Sequence, residues 1–424
     1  MRIIYVILAY LILPIAILYW LFRGIFNRSY WDRLGQRFGF GYPQLDNGSI
    51  WVHAVSVGEV QAAAPLVKSL LQRFPDRRLL LTTVTPTGAA HARRLFGEQI
   101  EHCYLPFETP LAVSRFFNAV RPAFALIMET EIWPNLYRGC GVRGIPLILV
   151  SARISPRSVK NYRKLLPLFR ETLSHGILIA AQSPADAERF LSLGASPERT
   201  WVTGNIKFDI EIPETLPQQG EELRQRFWPG RPVWVAASTH DHEEAQVLDA
   251  HDKILERFPD ALLVLVPRHP PRFPAVAGLL EKRRVNFVSR TSKRTPVAAT
   301  TVYLVDTLGE LKLFYAASDV AFMGGTLQAI GGHNLLEPAG LGVPVITGPH
   351  LFNTQQIADM FTSIGASVTV QNAAELSAAV CSLFENPQAA RAQGALGRNI
   401  VAQNRGSLNR LLILLDPLVS GNSH

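Results

Sequence analysis

From Ile50 onward, short and fully apolar runs alternate with stretches in which apolar residues recur three and four positions apart. The first pattern predicts buried strands and the second amphipathic helices. "SIWVHAV" reads as a strand and "VQAAAPLVKSLLQRF" as a helix; "RLLLTTVT" is a strand, and "GAAHARRLFG" after Pro86 a helix. "FALIMET" and "IPLILVSA" are short, fully apolar strands of the kind buried in a parallel sheet, and "GILIAAQS" and "TWVTGN" continue the series. Residues 209–232 break the rhythm with a polar stretch rich in proline, read as an interdomain linker. The rhythm resumes with "VWVAAST", "ALLVLVPRH", "VNFVSR", "TVYLVD", "DVAFMGG" and "PVITGP". The pattern predicts an α/β protein with two doubly wound Rossmann-like domains, residues 23–208 and 233–424, with the last helix free to pack back on the first domain. In this architecture ligands bind at the carboxyl ends of the strands, here expected to face a cleft between the domains.

The N-terminus follows neither rhythm. Ile3 to Phe22 carries no charge, and at about 1.5 Å per residue it reaches the roughly 30 Å thickness of a hydrocarbon core. No small-residue cleavage site follows, so residues 1–22 read as a transmembrane anchor rather than a removable signal. Arg23, Arg28, Arg33 and Arg37 come after it against Arg2 before it, which predicts that the body stays in the cytoplasm. Tyr30, Trp31, Phe38 and Phe40 interleave with those arginines, fitting either a membrane-surface segment or a helix packed on the body.

Composition narrows the partners. The chain has 424 residues, too many for one ordinary core, and a formal charge of +8 that favours anionic ligands. Its basic residues are scattered, without the Lys/Arg runs of a nucleic-acid arm, so no nucleic acid is expected. Three isolated cysteines, Cys103, Cys140 and Cys381, fit neither a disulfide framework nor a zinc knuckle.

Candidate chemistry gathers at strand ends. In "HAVSVGEV", Ser56-Val57-Gly58-Glu59 has the spacing of a capping box, so Glu59 reads equally as a helix cap and as a carboxylate at a strand's carboxyl end. In "METEIWPN", Glu129 and Glu131 follow an apolar strand and, two apart on an extended chain, would share a face. Lys207 in "GNIKFD" offers a cation for developing negative charge. Arg153 and Arg157 in "VSARISPRS" fit an acidic acceptor or plain surface. In the second half, "LVPRHPPRF" presents Arg268, whose guanidinium suits phosphate or carboxylate oxygens. Gly324, Gly325, Gly331 and Gly332 would let backbone N–H groups approach a phosphate, ahead of a helix expected near Asn334. "STHDHEE" (residues 238–244) brings histidines and acids together, but Ser, Thr and Asp before a helix are ordinary caps, and no metal is expected.

Taken in order, "HAVSVGEV", "METEIWPN", "VSARIS", "GNIKFD", "PRHPPRF" and "GGHNLLEPAGLGVPVITGPH", with the apolar N-terminus, resemble a 3-deoxy-D-manno-octulosonic acid (Kdo) transferase of lipopolysaccharide assembly across essentially the whole chain. The resemblance implies the GT-B glycosyltransferase fold and inverting transfer of Kdo from CMP-Kdo to a lipid A precursor at the cytoplasmic face of the bacterial inner membrane, with the donor a substrate and no cofactor. It implies Glu59 as general base, its carboxylate pointing out past Gly58 rather than folded back as a cap. Glu129, Glu131 and Lys207 would support the transition state, with Glu129 first. CMP would be held at Pro267-Arg268, at Leu308-Gly309-Glu310 and at Asn334-Leu335-Leu336-Glu337, where Glu337 would accept the ribose hydroxyls. A transferase using another nucleotide sugar, and an inactive membrane-anchored nucleotide- or lipid-binding module, are the rival readings.

Overall fold

The computed structural model describes residues 1–420, which divide into two compact units, one of residues 1–209 and 404–420, the other of residues 210–403. Unit 1 is built on a seven-stranded, wholly parallel sheet: β1 Ser49–His53, β2 Leu79–Thr83, β3 Glu101–Tyr104, β4 Pro122–Met128, β5 Leu147–Ala152, β6 Leu178–Ala181 and β7 Thr200–Val202. Its order is β3-β2-β1-β4-β5-β6-β7. The chain winds outward from β1 in one direction, then returns to β4 and winds the other way. The gap between β1 and β4 is therefore the topological switch point, where ligands bind in such sheets.

Both faces of this sheet are buried. Trp51 points to one side, among Phe116, Phe117 and Tyr137, while Ile50 and Val52 point to the other, against Leu66, Val67 and Leu126. That alternation from one apolar run is what a strand sandwiched between helices requires. The second face is closed by the C-terminal helix Ser407–Ser420, whose Leu411 and Leu415 are buried there. Asp209 fixes the start of that helix, its carboxylate accepting the N–H groups of Gly406 and of Leu408, the latter at 2.6 Å. An acid at a helix N-terminus meets both its orphan donors and its dipole.

The apolar N-terminal segment is a helix, Arg2–Phe26, long and apolar enough to cross a membrane. A stripe containing Arg2, Tyr5, Trp20 and Gly24 faces the unit, while Ile3, Leu11, Ile15, Leu18 and Ile25 are exposed. Arg2 reaches Glu171 at 3.1 Å, Tyr5 donates to Glu108, and Trp20 lies 3.5 Å beneath the Arg37 guanidinium. Both ends of the helix thus rest on unit 1, where charged and aromatic partners match that stripe. Of the following arginines, Arg37 is buried and donates to Val84 O, and Arg33 donates to His102 O, whereas Arg23 and Arg28 stay exposed.

Unit 2 repeats the design with β8 Val233–Thr239, β9 Leu262–Pro267, β10 Phe287–Ser289, β11 Val302–Leu304, β12 Val320–Met323, β13 Val345–Thr347 and β14 Ser367–Thr369. Its sheet is also wholly parallel, in the order β10-β11-β9-β8-β12-β13-β14, which puts its switch point between β8 and β12. Trp234, Phe322, Val302 and Ile346 lie in its core. Residues 209–232, expected as a linker, instead hold the helix Leu216–Phe227, which belongs to unit 2. Gly220 lets that helix approach Ala316 closely, and Arg224 pairs with Asp319 at 2.7 Å. Proline at the start of that helix is a starter, not a breaker, because its missing N–H would be unpaired there anyway.

Candidate active site

Both switch points carry clustered ionisable groups. In unit 1, β1 ends in a turn that opens the helix Val57–Arg73, with Ser56 at its N-cap and Glu59 in the first turn. Ser56 makes no side-chain cap; instead Glu59 Oε2 accepts the N–H of Val55 at 2.8 Å. The outward rotamer expected from the sequence is therefore replaced by a folded-back one, because the Val55 N–H lies within reach one residue before the box. Only Oε2 is used in this way; Oε1 has no hydrogen-bond partner among the described residues. Burial pushes the Glu59 carboxyl up to about 8, assisted by Glu129 and Glu131 and opposed by the Val55 N–H and by Lys207. Desolvation thus outweighs the helix terminus, which on its own would favour the charged form.

Glu129 follows β4 with φ +57°, a left-handed conformation that turns its side chain off the strand line. Its carboxylate is 5% exposed and is clamped on both oxygens, by Lys207 Nζ at 2.6 Å and by Arg153 Nε at 2.8 Å. Burial pushes this carboxyl up, but the two cations prevail and hold it below its ordinary range. Lys207 is delivered by the short turn Ile206–Phe208, whose Ile206 and Phe208 are buried and whose first N–H groups are taken by Asn205 and Ser151. Glu129 and Glu131 are not two apart on an extended chain, since the turn at Glu129 ends the strand, but both act electrostatically on Glu59. Glu131 accepts Trp133 Nε1 at 2.7 Å, and burial raises its carboxyl. Arg153 is thus drawn into the cluster, whereas Arg157 is exposed on the first turn of Pro156–Tyr162 with no partner among the described residues. The cluster offers one carboxylate oxygen on a group that titrates near neutrality, beside two cations sharing one acid. Such a group has the chemistry to accept a proton next to a site for negative charge.

In unit 2 the switch point gathers His240 after β8, Arg268 and His269 after β9, and Gly325 to Glu337 after β12. Pro267 closes β9 and is buried; Arg268 is exposed, its backbone N–H bonded to Thr239 O. Arg268 lies within electrostatic reach of Glu337, His240 and His333. Glu337 sits in the first turn of the short helix Leu336–Gly340, where burial raises its carboxyl against Lys312, whose Nζ is 4.0 Å away. Asn334 Oδ1 accepts the Leu336 N–H, and Leu335 and Leu336 are buried. In the remaining segment Leu308 is exposed and Gly309 adopts φ +88°. Glu310 is tied by its carboxylate to Arg290 at 2.6 Å and to Thr307, so that segment presents backbone rather than a free acid.

The glycine-rich loop differs from expectation. Its amides do not form an open cradle: Gly324 N–H goes to Ala237 O, and those of Gly331 and Gly332 to Gly325 O. The Gly325 N–H goes to Glu243 Oε2 at 2.7 Å, and Glu243 also accepts from His240, Thr326 and Leu327. Glu243 is fully buried and organises the whole loop. Sequence reasoning passed over it as one acid in "STHDHEE"; the signal was an acid in a helix's first turn with a glycine pair after a later strand. The other members of that stretch part company as well. His242 is exposed, Glu244 and Asp241 both pair with Arg272, and His240 turns to His333. Among the described residues no group of three potential ligands is placed to hold a metal ion.

Two doubly wound parallel units, each with an ionisable cluster at its switch point, define a GT-B-type fold. HepE from Anabaena, solved with UDP, shares this fold at 16% identity and a TM-score of 0.52, over 88% of this chain and 100% of that one. A sequence profile described as 3-deoxy-D-manno-octulosonic-acid transferase matches residues 32–210. The 3-deoxy-D-manno-octulosonic acid transferase of Haemophilus influenzae is 40% identical over 400 residues, 93% of each chain. The solved C-terminal CMP-Kdo binding domain of WaaA from Acinetobacter baumannii is 35% identical, with a TM-score of 0.43, over 45% of this chain and 100% of that one. The chain belongs to the Kdo transferase family: it is a glycosyltransferase of lipopolysaccharide biosynthesis.

Proposed function

We propose that this enzyme transfers Kdo from CMP-Kdo to a lipid A precursor, lipid IVA, with inversion, using Glu59 as general base. The observation that carries the reading is the Glu59 carboxyl, raised to about 8 at the switch point with one oxygen unpartnered among the described residues. Ionised Glu59 takes the proton of the acceptor hydroxyl as that oxygen bonds to the anomeric carbon. The bond from that carbon to the phosphate breaks, and CMP leaves with the electron pair. Lys207 and Arg153, which share the single charge of Glu129, leave a net positive field for the acidic sugar and the phosphorylated acceptor. Glu131, hydrogen-bonded to Trp133, adds to the negative field that keeps Glu59 basic.

Unit 2 holds the nucleotide: Pro267-Arg268 at the phosphate, the backbone of Leu308-Gly309-Glu310 at the base, and Asn334 to Glu337 at the ribose. The donor is the only cosubstrate, and activity should survive chelation of divalent metals. The exposed apolar face of Arg2–Phe26 supplies the membrane anchor, and the arginines after it keep the body cytoplasmic. A helix that spans the bilayer must release the contacts of Arg2 with Glu171 and of Tyr5 with Glu108, so Glu171→Ala should leave membrane retention unchanged, and removing residues 2–26 should abolish it.

Incubating the purified enzyme with CMP-Kdo and lipid IVA, with UDP-sugars as controls, should yield Kdo-bearing lipid by mass spectrometry. Transfer from a UDP-sugar, or no Kdo-bearing product, would reject the donor and acceptor named here.

A further inference from the structure

His240 and His333 meet at the switch point of unit 2, their Nε2 atoms 2.8 Å apart and their rings stacked with centroids 5.0 Å apart and planes 5° from parallel. Two bare ring nitrogens cannot approach so closely without a proton between them. One Nε2 must donate while the other accepts. Gly325 makes room for this pair: its φ is +69°, and a Cβ there would lie 3.2 Å from His333 Nε2 and 3.3 Å from His240 Cδ2. The ring of His269 stands edge-on to His240 at 5.4 Å.

The amides of Gly324, Gly325, Thr326, Leu327, Gly331 and Gly332 are closed to a phosphate, because Glu243 and neighbouring carbonyls take them. Side chains at this switch point stand in their place to meet an anion. We propose that the His240–His333 pair is a phosphate-recognition element of the donor site, and that it takes up one further proton when the nucleotide monophosphate binds. The inference rests on the nucleotide site proposed for unit 2 and adds the group that answers the phosphate charge.

The charges around the pair agree. From the segment after β9 come Arg268, His269 and Arg272; from the segment after β8, Asp241, Glu243 and Glu244; from the helix after His333, Glu337. Asp241 and Glu244 are neutralised by Arg272, Glu243 faces backbone amides, and Arg268 lies within electrostatic reach of Glu337. Burial first, and then the cations beside them, hold His240 at about 4 and His333 at about 3, so the empty pair is neutral at pH 7. A bound phosphate reverses that field and favours the charged pair. CMP itself carries roughly one and a half to two negative charges at pH 7, since a phosphomonoester has a second pKa near 6.

Calorimetric titration of the full chain in detergent with CMP, at pH 7 in buffers of different ionisation enthalpy, measures the linked protons. The expected result is uptake approaching one proton per CMP and none for cytidine. In His333→Gln, which can still hydrogen-bond to His240 but cannot titrate, uptake should fall below that of the unaltered protein. CMP should then bind about ten- to a hundredfold more weakly, as for loss of one charged hydrogen bond, while cytidine binds as before. His240→Gln should do the same. Should either variant fail to fold, histidine NMR of the unaltered protein decides: two imidazole signals must move toward the charged form on adding CMP. Undiminished proton uptake in a folded variant, equal weakening of CMP and cytidine, or unmoved histidine signals would overturn the inference alone. If the unaltered protein binds neither CMP nor cytidine, the nucleotide site itself falls, and this inference with it.

Discussion

Glu59 and Glu243 occupy the same place in the two units, in the first turn of the helix that follows the first strand of each sheet. Both are shielded from water, and burial pushes both carboxyls up. Their partners separate them. Glu243 accepts the N–H groups of His240, Gly325, Thr326 and Leu327 and is fully buried, so its oxygens are spent on holding a loop. Glu59 accepts the Val55 N–H alone and keeps an oxygen for a substrate. The same residue type in the same local context thus has its acceptor capacity spent in one unit and keeps an oxygen spare in the other. The number of amides aimed at it decides which, since each hydrogen bond to a carboxylate consumes acceptor capacity.

The comparison breaks most visibly through Glu59→Gln. A glutamine can still accept the Val55 N–H, so the protein should fold, while kcat falls about 10²- to 10⁴-fold with the loss of the base. Normal turnover in a folded Glu59→Gln would return Glu59 to the role of a cap. Glu243→Gln should do the opposite. Its single carbonyl oxygen cannot serve four donors, and its amide group faces them, so chemical denaturation should show a loss of about 2–5 kcal/mol. An unchanged midpoint would mean that the loop stands without it.

The pH dependence sharpens the contrast. A base must be ionised, and Glu59 is neutral below about 8. The rate kcat/KM should therefore climb about tenfold per pH unit up to that point and level above it. Lys207→Ala removes a cation that lowers the Glu59 carboxyl, so the limb should move to higher pH. A limb that stays in place would detach Lys207 from the base.

The smallest effect is on stability. A carboxyl raised in the fold costs nothing below its unfolded value near 4.3 and progressively more as pH rises toward 8, where the unfolded chain is ionised and the folded one resists. Glu59→Gln should therefore melt with the parent at pH 4 and above it at pH 9. The reverse order at pH 9 would mean that the ionised carboxylate is stabilised, as in an ordinary cap.

Much of this was legible in the sequence. The apolar runs at β1, β2, β4 and β5 and from β8 to β13 stood out because strands buried on both faces must be apolar throughout. The edge strands β3 and β14 did not, since Glu101, His102 and Val368 are not buried from water. The helix Leu216–Phe227 was hidden by its polar composition and its prolines. In the site, the residue types of Glu59, Glu129, Lys207, Arg268 and Glu337 were recognisable from ordered motifs, but their partners were not. Glu129 and Glu131 were read as an extended pair, and the positive φ at Glu129 has no signature in a non-glycine residue. The four glycines promised an open amide cradle, and an acid from some eighty residues upstream fills it.

By itself, then, the sequence determined the buried strands, their parallel pairing and the chemical groups at the strand ends, because periodicity and residue type are local properties. Only the tertiary structure decided which carboxylate is spent and which is spare, and that His240 meets His333 across ninety-three residues. Burial and hydrogen-bond partners come from chain segments distant in sequence. It is these, not residue identity, that set whether a carboxyl or an imidazole is charged at neutral pH.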